Sequence, residues 1–335
     1  MTMKTIAKNK LWLWNLAGLG TAVVPLMLYP LVRGLVPDPL AAGWEALPFR
    51  PMSLVQQWQV MFYAFGVKPL YMTLSFLLIV WIWRQKAADL TALRWGLIWF
   101  WLGETACSID YIFFARASHF WEYAHGFGMA VGFSFIAYAA LEGFDQRLIK
   151  FSPQSERCAA LGLCRACEKY TDDPCGLKRL FKFMLPGLMA LSFMPLTAPF
   201  QLNAYRTELL GSPHYYHHMV TSQWFELRFC PVLALLFLTA SWLVLLFKRT
   251  EPVSVSKALM AAGIGPLGFG IMRMSIVATF SGNQVWLNFW EEFTELLFIV
   301  SVLLVLWTFR HRLLPGALWS GGKRPATDAL GPSFQ

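Results

Sequence analysis

The chain has 335 residues, 57% of them hydrophobic and 14% charged, where an ordinary soluble domain carries about 25% charged residues. That composition excludes a water-soluble globular enzyme and calls for a lipid-facing surface. The formal charge of +9 does not point to nucleic acid as a partner, because most basic residues lie in short segments between apolar runs.

Crossing a bilayer as a helix takes about 20 mostly apolar residues. Such runs occur at 11–33, 59–83, 91–114, 118–141, 183–200, 222–247, 258–280 and 284–309. The fold class is therefore an all-α polytopic membrane protein, a bundle of about eight transmembrane helices with the lipid bilayer as its first partner. Five segments organise it: a basic tail over 1–10, four helices over 11–141, a cysteine-bearing loop over 142–182, four helices over 183–309, and a tail over 310–335. The first run is too long for a secretory signal and lacks a small-residue cleavage site. Many of the 16 Trp and 28 Phe stand at the ends of runs, where aromatic rings favour the interface. The run at 183–200 is the shortest, and it contains Pro186, Pro195 and Pro199.

Orientation follows from the basic residues. With the N-terminus inside, the outer side holds Arg33, Arg50, Lys68, Arg116, Arg206, Arg228 and Arg273, and the other 21 of the 28 Lys and Arg lie on or near the cytoplasmic side. Both termini are then cytoplasmic, as expected for a protein of a bacterial inner membrane.

Ionisable residues inside spans are costly and normally face a partner or a wet cavity. The third span carries Glu104 near mid-depth and Asp110 closer to its outer end. The fourth carries Glu122 and His125, three residues apart and so on one side of the helix. The sixth carries Glu226. The eighth carries Glu291, Glu292 and Glu295, with the last pair repeating the spacing of three. All lie in the outer half of the membrane. Three outer helix ends also share a pattern of two aromatics followed by Glu: Phe120-Trp121-Glu122, Trp224-Phe225-Glu226 and Phe289-Trp290-Glu291.

Three uses of these residues stay open. Glu104, Glu122, His125, Glu226, Glu292 and Glu295 could hold iron or another transition metal, by the ligand logic of carboxylate bundles, with His119, His217 or His218 completing the set. They could instead line a proton path or substrate cavity. Or they could pair separately with Arg228 and Arg273, since Arg273 lies deep enough to need a carboxylate. Asp110 and Glu291 are accessory candidates. Haem b held between His119 or His125 and the histidines at 214, 217 and 218 is a further option.

The loop cysteines Cys158, Cys164, Cys167 and Cys175 have the spacing C-x5-C-x2-C-x7-C. Four thiolates within 18 residues suit one zinc ion or an iron–sulfur cluster, and a reducing cytoplasm disfavours disulfides. Cys107 and Cys230 stand one turn from Glu104 and Glu226, as small core residues, a disulfide or soft ligands. Gly263, Gly265, Pro266, Gly268 and Gly270 imply either close helix packing or an interrupted helix lining a cavity.

The expected function is a membrane redox protein: a metal-dependent oxidoreductase with a Glu/His centre in the membrane, a cysteine-ligated relay and an electron-transfer partner. The alternatives are a cation- or proton-coupled transporter or channel using the same carboxylates, and a non-catalytic subunit of a larger membrane complex. Reporter fusions test the orientation. Fusions after residues 150 and 250 are expected to report cytoplasm, and those near 45 and 210 the outer side. A cytoplasmic signal at 210 would remove 183–200 from the list of spans.

Overall fold

The computed structural model describes isolated positions between 24 and 35, then residues 43–114, 118–145, 175–247 and 252–313. The first expected span, both tails and Cys158, Cys164 and Cys167 lie wholly or mostly outside the described residues, as does the side chain of Cys175.

Seven long helices follow in chain order. They are α1 (Leu54–Ile82), α2 (Ala88–Phe114), α3 (His119–Gly143), α4 (Cys175–Leu191), α5 (Val220–Phe247), α6 (Pro252–Phe280) and α7 (Gln284–Thr308). Six segments are long and apolar enough to cross a membrane: α1, α2, α3, 180–197, α5 and 255–280. The chain is a multi-pass membrane protein. At a rise of 1.5 Å per residue the 25 residues of α7 would also span the hydrocarbon layer. Its apolar stretch, however, contains Glu291, Glu292 and Glu295, which sets it apart from the six.

Side chains at the helix starts explain where several helices begin. Ser53 and Gln56 form a reciprocal capping box on α1, Ser118 caps α3 through Trp121 N, and Asn283 caps α7 through Trp286 N. Two helices carry a single π-helical turn, Tyr63–Val67 in α1 and Phe225–Phe229 in α5. Each precedes a proline, Pro69 and Pro231. A proline inside a helix cannot donate its hydrogen bond and its ring crowds the carbonyl four residues back, so a wide turn just before it relieves the clash.

Helices α2 and α3 pack almost backbone to backbone. A Cβ on Gly128 would lie 2.7 Å from Gly103 Cα, and one on Gly132 3.0 Å from Gly96 O. Helix α6 meets α3 in the same way. A Cβ on Gly265 would collide with Ser134 Oγ and Ala130 O. The glycine-rich stretch of α6 is thus a packing surface in a continuous helix, and the interrupted helix envisaged from the sequence does not form. Without a hydrophobic drive between helices in lipid, such close approach is what small residues contribute.

At one end, between α4 and α5, a β-hairpin covers the bundle: β1 (Tyr205–Leu209) pairs antiparallel with β2 (Ser212–Tyr216). Leu210 and Gly211 at its turn both have positive φ, the pattern of a two-residue hairpin that matches strand twist. Arg206 also bonds the backbone of Pro48 and Arg50. Tyr216 OH lies 3.2 Å from Tyr63 OH, tying the hairpin to the wide turn of α1. Burial, and then Tyr63, raise the Tyr216 phenol well above its ordinary pKa, so this contact stays neutral. At the opposite end Lys257 on α6 pairs with Glu142 and Asp145 at the end of α3.

Gly265→Ala and Gly268→Ala separate packing from helix propensity. A Cβ at 268 meets nothing within 4 Å. Gly268→Ala is expected to hold or raise the melting temperature in detergent, as alanine favours a helix interior by up to about 1 kcal/mol. Gly265→Ala is expected to lower it, with an overpacking cost of about 1–3 kcal/mol.

Candidate functional site

The close contact of α2 with α3 places Glu104, the residue after Gly103, against His125. His125 Nδ1 donates to Gly103 O at 3.2 Å and lies 3.5 Å from Glu104 Oε1. The wide turn of α1 ends at Lys68, near the middle of that helix, and directs its ammonium at the same point.

Lys68 Nζ lies 2.5 Å from Glu104 Oε2, 3.1 and 3.2 Å from the two oxygens of Glu292, and 3.0 Å from Tyr71 OH. Its three N–H bonds are therefore all engaged. Tyr71 OH in turn stands 2.6 Å from Glu104 Oε2 and 2.7 Å from Glu292 Oε2. A phenol has one proton to donate, so both contacts are hydrogen bonds only when one carboxyl is itself protonated. Glu295 closes the group: one oxygen each of Glu104, Glu292 and Glu295 lie within 4.8 Å of one another. Among the described residues no donor reaches Glu295 Oε2, which is buried.

Next to this lies a second group centred on Arg273 of α6. The guanidinium binds both oxygens of Glu226, at 2.7 and 2.9 Å, and Glu291 Oε1 at 3.0 Å. Glu226 sits in the wide turn of α5. Glu122 accepts from Ser222 Oγ at 3.4 Å.

Three small cavities connect the groups through shared walls. One of about 30 Å³ lies towards the hairpin, bordered by His217, His218, Glu122, Glu226, Arg273 and Glu291. One of about 10 Å³, room for about a single water, lies between the groups and touches Lys68, Glu104, His125, Arg273, Glu292 and Glu295. A third, of about 110 Å³, shares Lys68, Cys107 and Glu292 with it.

All six carboxylate and imidazole candidates of the membrane site thus border this system, but not in the grouping expected from spacing. His125 turns to Glu104 and Glu122 to Ser222, so the pair three residues apart does not converge on one atom. Glu291 and Arg273, weighed as accessories, are central. Asp110 accepts from Ser118 N, His119 contacts Thr221 Oγ1 at 3.1 Å, and the His217 ring meets Trp44 edge-on. Arg228 bonds the carbonyls of Pro195 and Ala198 and takes no part in the network. Cys107 and Cys230 do not form a disulfide, and Cys107 Sγ lies 3.7 Å from Lys68 Nζ. Glu104, Cys107 and His125 form a further set of donors mutually within 4.8 Å.

Sequence reasoning missed Lys68 and Tyr71. Lys68 was counted with the outer charges, although a Lys-Pro step in the interior of the 59–83 run was the signal for a buried cation needing a carboxylate.

No protein-family model, curated protein or solved structure matches this chain.

Lys68→Met is expected to strand two carboxylates, Glu104 and Glu292, and breaking a buried pair in this way costs about 3–5 kcal/mol. Melting in detergent should show the loss. Adding Glu104→Gln and Glu292→Gln to Lys68→Met should recover a large part of it, because the charges are then removed together.

Proposed function

We propose that the protein is a cation-coupled membrane transporter whose working centre is this Glu–Lys–Arg network, with proton or metal cation as the coupling ion. One observation carries the reading: six glutamates from α2, α3, α5 and α7 border one cavity system in which Lys68 and Arg273 are the only Lys or Arg side chains among the described residues. The excess negative charge at this depth needs further positive charge, supplied by bound protons or an ion. The Tyr71 contacts already require one proton. The small polar cavities towards the hairpin offer a route from the hairpin face, where Glu122 and the histidines stand. In this reading α7 is a spanning helix, its carboxylates tolerated because they face Lys68 and Arg273. The Lys/Arg bias supports both termini being cytoplasmic, and this reading assigns the chain to a bacterial inner membrane.

A redox reading has its own support in the Glu104, Cys107 and His125 donor set, which has the composition of an iron or other transition-metal site. The loop cysteines with zinc or an iron–sulfur cluster would then serve as relay to an electron-transfer partner. Against a metal among Glu104, Glu292 and Glu295, the Lys68 ammonium already occupies their midst. Haem b and a purely structural role within a larger complex gain no support from the geometry.

Proteoliposomes test the transporter reading. With a membrane potential imposed, entry of protons (internal pH dye) or of sodium or manganese ions is expected. Glu292→Gln should reduce the rate at least about tenfold, equivalent to about 1.4 kcal/mol in the barrier. Absence of flux for every ion, together with stoichiometric iron and visible absorption in the purified protein, would instead favour the redox reading.

A further inference from the structure

We infer that the cavity of about 110 Å³ beside Lys68 is a binding site for a neutral, lipid-soluble ring compound of the quinone class. The inference deepens the proposed function by naming the molecule that meets the network, and it rests on that reading only for its consequence, not for binding itself.

The cavity lies between α1, α2 and α7. Its outer lip is formed by Phe65 and Ile112, which are 70% and 69% exposed on helices that cross the membrane and so face lipid. A ligand reaches this mouth from the bilayer, without passing through water. The walls carry Tyr63, Phe65 and Tyr111, which suit a flat ring. An engineered protein cavity of about 150 Å³ takes up benzene. A pocket of similar size open at one side holds a ring whose tail remains in lipid.

The inner end decides the charge of the head group. Lys68 spends its donors on Glu104, Glu292 and Tyr71, so it has none left for an anion, and the Glu292 carboxylate on the wall repels one. A cationic head would stand against the Lys68 ammonium, since of the network's glutamates only Glu292, itself paired with Lys68, borders this cavity. A neutral head that accepts a hydrogen bond escapes both penalties. Asn288, buried on α7 and bordering the cavity, supplies an amide donor for a ring carbonyl. Glu292 belongs to the cavity and to the network at once, so an oxygen of the bound ring would lie beside the network's ionisable groups.

The test uses the full-length protein in nanodiscs with a short-tailed benzoquinone, followed by quenching of intrinsic tryptophan fluorescence. Saturable quenching is expected. Asn288→Leu, which keeps the branched shape and removes the donor, and Ile112→Trp, which narrows the mouth, should each raise the dissociation constant at least about tenfold. Ile112 is on the lipid surface, so its variant should fold even if the Asn288 variant does not; melting temperatures check both. Oleate and decylamine, with anionic and cationic heads, should not compete. Quenching that fails to saturate, that is unchanged in Ile112→Trp, or that oleate or decylamine displaces overturns the inference. Ion flux measured on the same preparations separates the two ideas: flux without quinone binding removes only this site, and quinone binding without flux removes only the transporter reading.

Discussion

The placement of one ammonium group governs the centre of this bundle. Lys68 reaches Glu104 on α2 and Glu292 on α7 from its own place on α1, so three helices meet at a single charge. In lipid each of these groups alone would be expelled or neutralised. Together they replace water for one another, and Tyr71 adds a hydroxyl that bridges both carboxyls. Arg273 does the same for Glu226 and Glu291, joining α6 to α5 and α7. The polar core thus works as a cross-link between helices whose outer faces are apolar, and α7, which carries half of the six glutamates, is held at both centres.

Most of the helical framework was legible in the apolar runs, because length and hydropathy are what a bilayer selects. The described helices begin and end within a few residues of the expected ones for four of the runs, while α1 and α6 start five or six residues earlier and α4 both starts and ends eight or nine residues earlier. That these acids fall at a common level along the bundle was legible too, since Glu104, Glu226 and Glu295 could be placed by counting from helix ends, and they border one cavity system. What the sequence could not supply was rotation. Residues three apart on a helix differ by about 60° around its axis. On α3 that is enough to send His125 to α2 and Glu122 to α5. The hairpin at 205–216 was hidden for another reason. Its turn is Leu-Gly rather than the usual Asn-Gly, and Leu210 accepts a left-handed backbone for which leucine has no preference.

Two prolines link local backbone chemistry to the site. Pro69 and Pro231 each follow a wide helical turn, and those turns carry or adjoin Lys68 and Glu226. A π turn inserts an extra residue and rotates everything beyond it relative to a regular helix. The charged groups that α1 and α5 bring to the network, Lys68 and Glu226, are therefore aimed by wide turns that the following prolines impose. Pro266 on α6 has no such effect: there the helix stays continuous.

The glycine seams have a consequence for motion. Along α2–α3 and α3–α6 the backbones are in contact, so these three helices have no slack to slide or rotate against each other without collision. Around Lys68, by contrast, the polar contacts that join α1, α2 and α7 are made by long side chains, which can exchange partners by changing rotamers. The bundle divides mechanically into a stiff slab and a compliant pair. Any rearrangement that exposes Glu104 to one face and then the other has to be carried by α1 and α7 rocking against that slab, with Lys68 as the tether that sets how far they travel.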